Sequence, residues 1–166
     1  VLVSGGISSG SNYDRYRQNL RSMYQILRGA GYQRANIFVF YADGASLDLD
    51  NADGDDNDAT GNDVTGGADE GAIRARIQQL CADLDPRRDI LFTYFSNHGA
   101  DNDGVCLWDG DSNGLQAGEL YSPAELAQLL AAHAIAPTFP PARSTVTGGA
   151  LDLATRTLTR EGEPVP

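Results

Sequence analysis

The chain lacks the features that would carry it into a membrane or onto nucleic acid. No stretch of about 18 consecutive apolar residues occurs, so no membrane-spanning helix is expected. No basic segment runs into an apolar one as in a secretory leader, and the sequence opens at Val1 on a strand-like stretch, as a trimmed start would. Basic residues are few: 12 against 23 acidic ones, a formal charge of −11. That balance argues against binding nucleic acid by phosphate neutralisation. It suits metal cations, basic partners or plain solubility. Only two cysteines are present, Cys81 and Cys106. Both lie among apolar residues and read as two unrelated buried thiols, with one disulfide as the alternative. Together with His98 and His133 they lack the paired spacing of a zinc site. Nothing in the pattern calls for an organic cofactor.

Apolar residues make up 41% of the 166, enough for one domain with one core. Val1 to Ser4 reads as a short strand, followed by a glycine- and serine-rich turn. From Asp14, the residues Tyr16, Leu20, Met23, Tyr24 and Leu27 share one helix face. Gly29 and Gly31 close that helix. Ile37 to Tyr41 is an unbroken apolar run of β-formers, as a buried parallel strand should be. Residues 42–68 lose all periodicity. Ile73, Ile77, Leu80, Cys81 and Leu84 then restore helical spacing up to Pro86. Ile90 to Phe95 is a second apolar strand that ends at Ser96-Asn97-His98-Gly99, and Val105 to Trp108 is a third, short one. Ser122-Pro123-Ala124-Glu125 has the form of a capping box with proline in the first turn of the helix that follows.

Strand and helix alternate, which predicts an α/β fold: a mostly parallel sheet flanked by helices. This domain should cover residues 1–135. Beyond it Pro137, Pro140 and Pro141 interrupt the next expected strand. Residues 136–166 then show no amphipathic pattern and read as an atypical, poorly packed tail, leaving the sheet incomplete at its C-terminal side.

In open parallel sheets, reactive groups gather beyond the carboxyl ends of strands. His98 stands one step past such an end. Its imidazole can relay a proton near neutral pH. The glycine after it lets a substrate approach the backbone, and the Gly99 N–H can point at a developing oxyanion. A histidine in that setting also serves as an ordinary polar turn.

The stretch from Ile90 to Ala100 (ILFTYFSNHGA) resembles the histidine motif of legumain-type and caspase-type cysteine peptidases. Leu2-Val3-Ser4-Gly5-Gly6, Ser11-Asn12-Tyr13 and the helix containing Tyr24-Gln25-Ile26-Leu27 resemble the first strand, loop and helix of legumains. Ile37 to Asp43, Asp63-Val64-Thr65 and Leu107-Trp108-Asp109-Gly110 follow in the order the family uses. The resemblance implies a caspase-like fold and a cysteine-type endopeptidase acting on peptide or protein substrates by a Cys-His mechanism. It implies His98 as general base and acid, Gly99 as oxyanion donor and Asn12 as the residue that orients the histidine. It places Arg15 or Arg17 near the specificity pocket, where a guanidinium can hold a carboxylate or amide by paired hydrogen bonds. On the first turns of a helix, these arginines can equally be solvated.

The family's nucleophilic cysteine has no counterpart. No cysteine follows Cys106, which lies inside a strand-like segment. The nearest imitation of the expected motif is Ser144-Thr145-Val146-Thr147-Gly148-Gly149, with Thr145 at the nucleophile position. A threonine hydroxyl is far weaker than a thiol unless strongly activated. The alternative is therefore a catalytically inactive caspase-like module that binds Ca²⁺ or a protein.

Eight aspartates stand between Asp43 and Asp63. Such oxygen-rich loops suit Ca²⁺, and Asp53, Asp55, Asp56 and Asp58 are the candidate ligands. Asp56 to Gly61 follows the start of an EF-hand loop, but Gly67 stands where its glutamate belongs. A solvated insertion is the competing reading. Asp101, Asp103, Asp109 and Asp111 form a second acidic group beside His98.

Overall fold

The computed structural model describes residues 1–50, 61–85, 87–100, 104–111 and 119–133, and the backbone of four strands between 144 and 164. Three strands form a parallel sheet: β1 (Leu2–Ser4), β2 (Val39–Tyr41) and β3 (Tyr94–Ser96), in the order β2-β1-β3. Leu2 lies opposite Val39 on one side and Tyr94 on the other.

Side-chain alternation along each strand divides the core in two. Leu2, Val39, Tyr41 and Tyr94 point to one face, where Leu20, Tyr24 and Leu27 of helix α1 (Asp14–Gly29) meet them. Val3, Phe40 and Phe95 point to the other, against Ile73, Ile77 and Cys81 of α2 (Glu70–Asp83) and Leu129 of α3 (Pro123–Ala132). Helices thus cover both faces, as the alternating pattern predicts. Each fully buried Leu or Ile contributes about 1.5–3 kcal/mol.

Local chemistry sets the helix ends. Gly31, at φ +94°, completes the reverse turn that ends α1. The Tyr32 N–H bonds the Leu27 carbonyl and the Gly31 N–H that of Arg28. Gly29 lies inside the helix rather than after it. The Asp69 carboxylate caps α2 by accepting from the Ala72 N–H at 2.8 Å. At α3 the capping box forms: Ser122 Oγ accepts from the Glu125 N–H, Glu125 accepts from the Ser122 N–H, and Pro123 opens the helix.

Two boundaries differ from the sequence reading. The strand expected from Ile90 forms its ladder with β1 from Tyr94, and before it the Val1 amino group donates to the Phe92 carbonyl at 2.7 Å. The short strand at 105–108 is the middle of an antiparallel trio: β4 (Gly99–Ala100), β5 (Gly104–Cys106) and β6 (Leu120–Tyr121).

The chain divides into two compact units, Val1–Ile135 and Ala136–Pro166. In the second, β7 (Ser144–Val146), β8 (Gly149–Asp152), β9 (Thr157–Arg160) and β10 (Glu163–Pro164) form an antiparallel sheet with neighbours in sequence order. Thr145 lies within β7, opposite Ala150.

Candidate functional site

The order β2-β1-β3 places a topological switch point at the carboxyl ends of β1 and β3. The chain leaves β1 toward α1 on one face and enters β3 from α2 on the other, the arrangement at which open α/β sheets bind ligands. The loop after β1 and the residues after β3 meet there.

Gly5 and Gly6 begin that loop, both with positive φ. A Cβ on Gly5 would stand 2.3 Å from the Ala42 nitrogen, and one on Gly6 2.6 Å from the Ser11 carbonyl oxygen. Only glycine lets the loop fold back this tightly. The turn Ser9–Ser11 brings that carbonyl to His98, whose Nε2 lies 3.2 Å from it. A carbonyl only accepts, so Nε2 carries the proton and the neutral ring keeps its lone pair on Nδ1. Among the described residues no hydrogen bond reaches Nδ1.

Tyr13 and Tyr16 complete the seat. Both rings stand edge to face with the imidazole, at centroid distances of 5.6 and 5.2 Å. The Asn97 side chain ties the two segments together: its Nδ2 donates to the Gly6 carbonyl at 2.8 Å, and its Oδ1 accepts from the His98 N–H at 2.9 Å. The hydroxyl of Ser4, fully buried, lies 2.6 Å from the Ser96 carbonyl and 3.2 Å from that of Tyr16. Strand, loop and helix are thus stitched around one half-buried ring.

Asn12 does not reach the histidine. Its amide meets the Tyr41 hydroxyl, with Nδ2 at 3.0 Å. The atom that holds the ring is the backbone carbonyl one residue earlier. Arg15 lies over Tyr13 and Tyr16, its Cζ 4.9 and 5.0 Å from their centroids, and it donates to the Tyr16 hydroxyl at 3.0 Å. Its exposed guanidinium therefore shares its two rings with His98. Arg17 acts electrostatically on the Tyr41 hydroxyl, whose pKa burial raises above the usual tyrosine value.

Gly99 differs from the loop glycines. A Cβ there would touch nothing within 4 Å, so the fold does not demand glycine. Gly99 faces Val105, and the flanking Cys106 N–H donates to the His98 carbonyl at 2.8 Å. In an antiparallel ladder this makes Gly99–Val105 a non-hydrogen-bonded pair, so the Gly99 N–H turns away from β5.

Neither thiol belongs to this site. Cys81 packs on the sheet face of α2, and Cys106 is buried in β5. Burial raises both thiol pKa values above the ordinary range, the reverse of an activated thiolate.

Asp53, Asp55, Asp56, Asp58, Asp101 and Asp103 lie outside the described residues. Two other carboxylate trios are close enough to share a cation, Asp48-Asp50-Asp63 and Asp109-Asp111-Glu119. In the first, Asp63 is already engaged. Its Oδ1 accepts from the Tyr24 hydroxyl at 2.6 Å and from Arg34 Nε at 2.7 Å, and its Oδ2 from the Leu49 N–H at 2.9 Å. Asp111 and Glu119 of the second trio line a groove of about 670 Å³ together with Asp43, Asp69 and Trp108.

No family model, curated protein or solved structure matches the chain.

The sequence alone singled out His98 and Gly99. It missed Ser11, Tyr13, Tyr16 and Asn97. Asn97 carried a readable signal, a side-chain amide between a strand end and the candidate base. The Ser11 carbonyl carried none, because every residue has one.

Proposed function

We propose that the first unit is a caspase-like domain supplying the acid–base half of a cysteine-peptidase site. The observation that carries this reading is the seat of His98, with Nε2 fixed on the Ser11 carbonyl, Nδ1 left as acceptor and the Gly99 N–H directed away from its own sheet. Nδ1 would take the proton of an attacking thiol and return it to the leaving amine. The Gly99 N–H would stabilise the tetrahedral oxyanion. Arg15, held over two tyrosine rings, would grip a carboxylate or amide of the peptide substrate. The thiol is not Cys81 or Cys106, since both are buried and hard to ionise.

That last fact favours a second reading, a non-catalytic module that binds Ca²⁺ or a protein. Asp109, Asp111 and Glu119 offer hard oxygen ligands of the kind Ca²⁺ takes.

A peptidyl electrophile applied to the full-length gene product separates the two. The peptidase reading expects a covalent adduct outside positions 81 and 106 that His98→Ala abolishes. Absence of any adduct, with and without Ca²⁺, leaves the binding module. A Ca²⁺-dependent melting temperature lost in Asp109→Asn would support that module directly.

A further inference from the structure

We infer that Ser4 is a positioning residue for His98: its buried hydroxyl fixes both the backbone that delivers the imidazole and the ring that lies beside it. The chemical consequence rests on the acid–base role proposed for His98, while the geometry rests on contacts among the described residues. Ser4 ends β1, the central strand, and its side chain is completely buried. By strand alternation it shares a face with Leu2, toward α1. Taking a hydroxyl into such a place costs desolvation unless its hydrogen bond is made. Alanine would sit there without that cost.

The bond is made to two carbonyls. Ser4 Oγ lies 2.6 Å from the Ser96 carbonyl oxygen and 3.2 Å from that of Tyr16. Its one proton is shared between them, weighted to the shorter arm. Tyr16 stands inside α1, where the helix ladder supplies carbonyls with partners of their own. The hydroxyl therefore rescues no orphan there. It fixes a distance between helix and strand.

Both acceptors lead to His98. Ser96 ends β3 two residues before it, and Asn97 between them is held to the Gly6 carbonyl at 2.8 Å. Tyr16, 4% exposed, sets its ring against the imidazole at 5.2 Å. Three residues along α1, on the same face, Asn19 Nδ2 donates to the Ser96 hydroxyl at 3.0 Å and ties helix to strand end a second time. The approach to the ring and the wall beside it are thus referenced to one hydroxyl. The bond they hold has little slack. Nε2 lies 3.2 Å from the Ser11 carbonyl, at the long end of the normal range, so a shift of a few tenths of an ångström releases it. A released neutral ring divides between two tautomers, and Nδ1 then accepts a proton in only part of the population.

Imidazole ¹⁵N spectra of the whole chain test this, recorded at about pH 8, on the alkaline side of the usual histidine range. The expected wild-type result is a single tautomer with Nε2 protonated. Ser4→Ala should draw the two nitrogen shifts together and remove the ring-current displacement that Tyr16 imposes on the His98 ring protons. Asn19→Ala, at an exposed side chain, should do the same to a smaller degree, and it keeps the test open if Ser4→Ala does not fold. Ile77→Val, fully buried on the opposite face of the sheet, should lose stability yet leave the His98 signals as in wild type. Labelling by the peptidyl electrophile should fall about tenfold or more in Ser4→Ala. No labelling of the wild type would defeat the peptidase reading alone, because the nitrogen shifts decide the positioning independently. A wild-type ring already divided between tautomers overturns the inference. So do unchanged shifts in both Ser4→Ala and Asn19→Ala, shifts that move as far in Ile77→Val, or labelling of Ser4→Ala at the wild-type rate.

Discussion

The edge at β2 and the edge at β3 belong to one three-stranded sheet, yet among the described residues they are finished differently. At β2 the chain returns and covers the strand, and a buried carboxylate fastens the cover. Asp63 binds Tyr24 on α1, Arg34 before β2 and the Leu49 backbone at once. At β3 the chain moves on into the β4–β5 hairpin, and its last strand residues lead directly to His98. The contrast teaches that the stabilising polar network and the candidate site lie on different sides of the same sheet. One edge is sealed by a saturated polar network. The other holds a half-exposed ring and a glycine the fold does not require.

The largest test of this contrast removes the fastening. Asp63→Ala strips the Tyr24 hydroxyl and the Leu49 N–H of their acceptor and should cost about 3 kcal/mol, read from denaturant unfolding. Amide exchange should quicken first at Thr65 and Gly66, with the β3 side less affected. Next comes Gly6→Ala. Its methyl would displace the Ser11 carbonyl, at a cost of about 2 kcal/mol. The His98 ring should lose its fixed tautomer, seen in the imidazole ¹⁵N shifts, while the Asp63 network stays intact.

Alkaline pH provides a milder probe of the sealed edge. Burial first, and then the bond to Asp63, push the Tyr24 hydroxyl well above the usual tyrosine range. The folded state therefore keeps a proton that the unfolded chain releases above about pH 10. Stability should fall as pH rises through that value, and Tyr24→Phe should flatten the fall. The smallest expected effect is that of Gly99→Ala. Its added methyl meets open space, so stability should change by less than about 0.5 kcal/mol. Labelling by a peptidyl electrophile should nevertheless drop sharply if a substrate backbone approaches that N–H. Unchanged labelling would remove Gly99 from the site.

Much of this was legible in the residues themselves. The apolar faces of α1 and α2, the strand cores, the capping box at Ser122 and the placement of His98 beyond a strand all follow from period, local sterics and capping chemistry. Those depend on neighbours within a few residues along the chain. The acidic character of residues 42–68 was equally plain.

Its division of labour was not. That Asp63 serves as an anchor was decided by residues up to 39 positions away, which sequence spacing does not reveal. The same holds for the seat of His98. The sequence pointed to the Asn12 side chain, and folding set a carbonyl there instead, because Gly5 and Gly6 turn the loop back by an amount no side-chain pattern encodes. Which strand edge is closed also belongs to the tertiary structure alone. A strand's residues state that it can pair, and only the path of the rest of the chain determines whether a partner arrives.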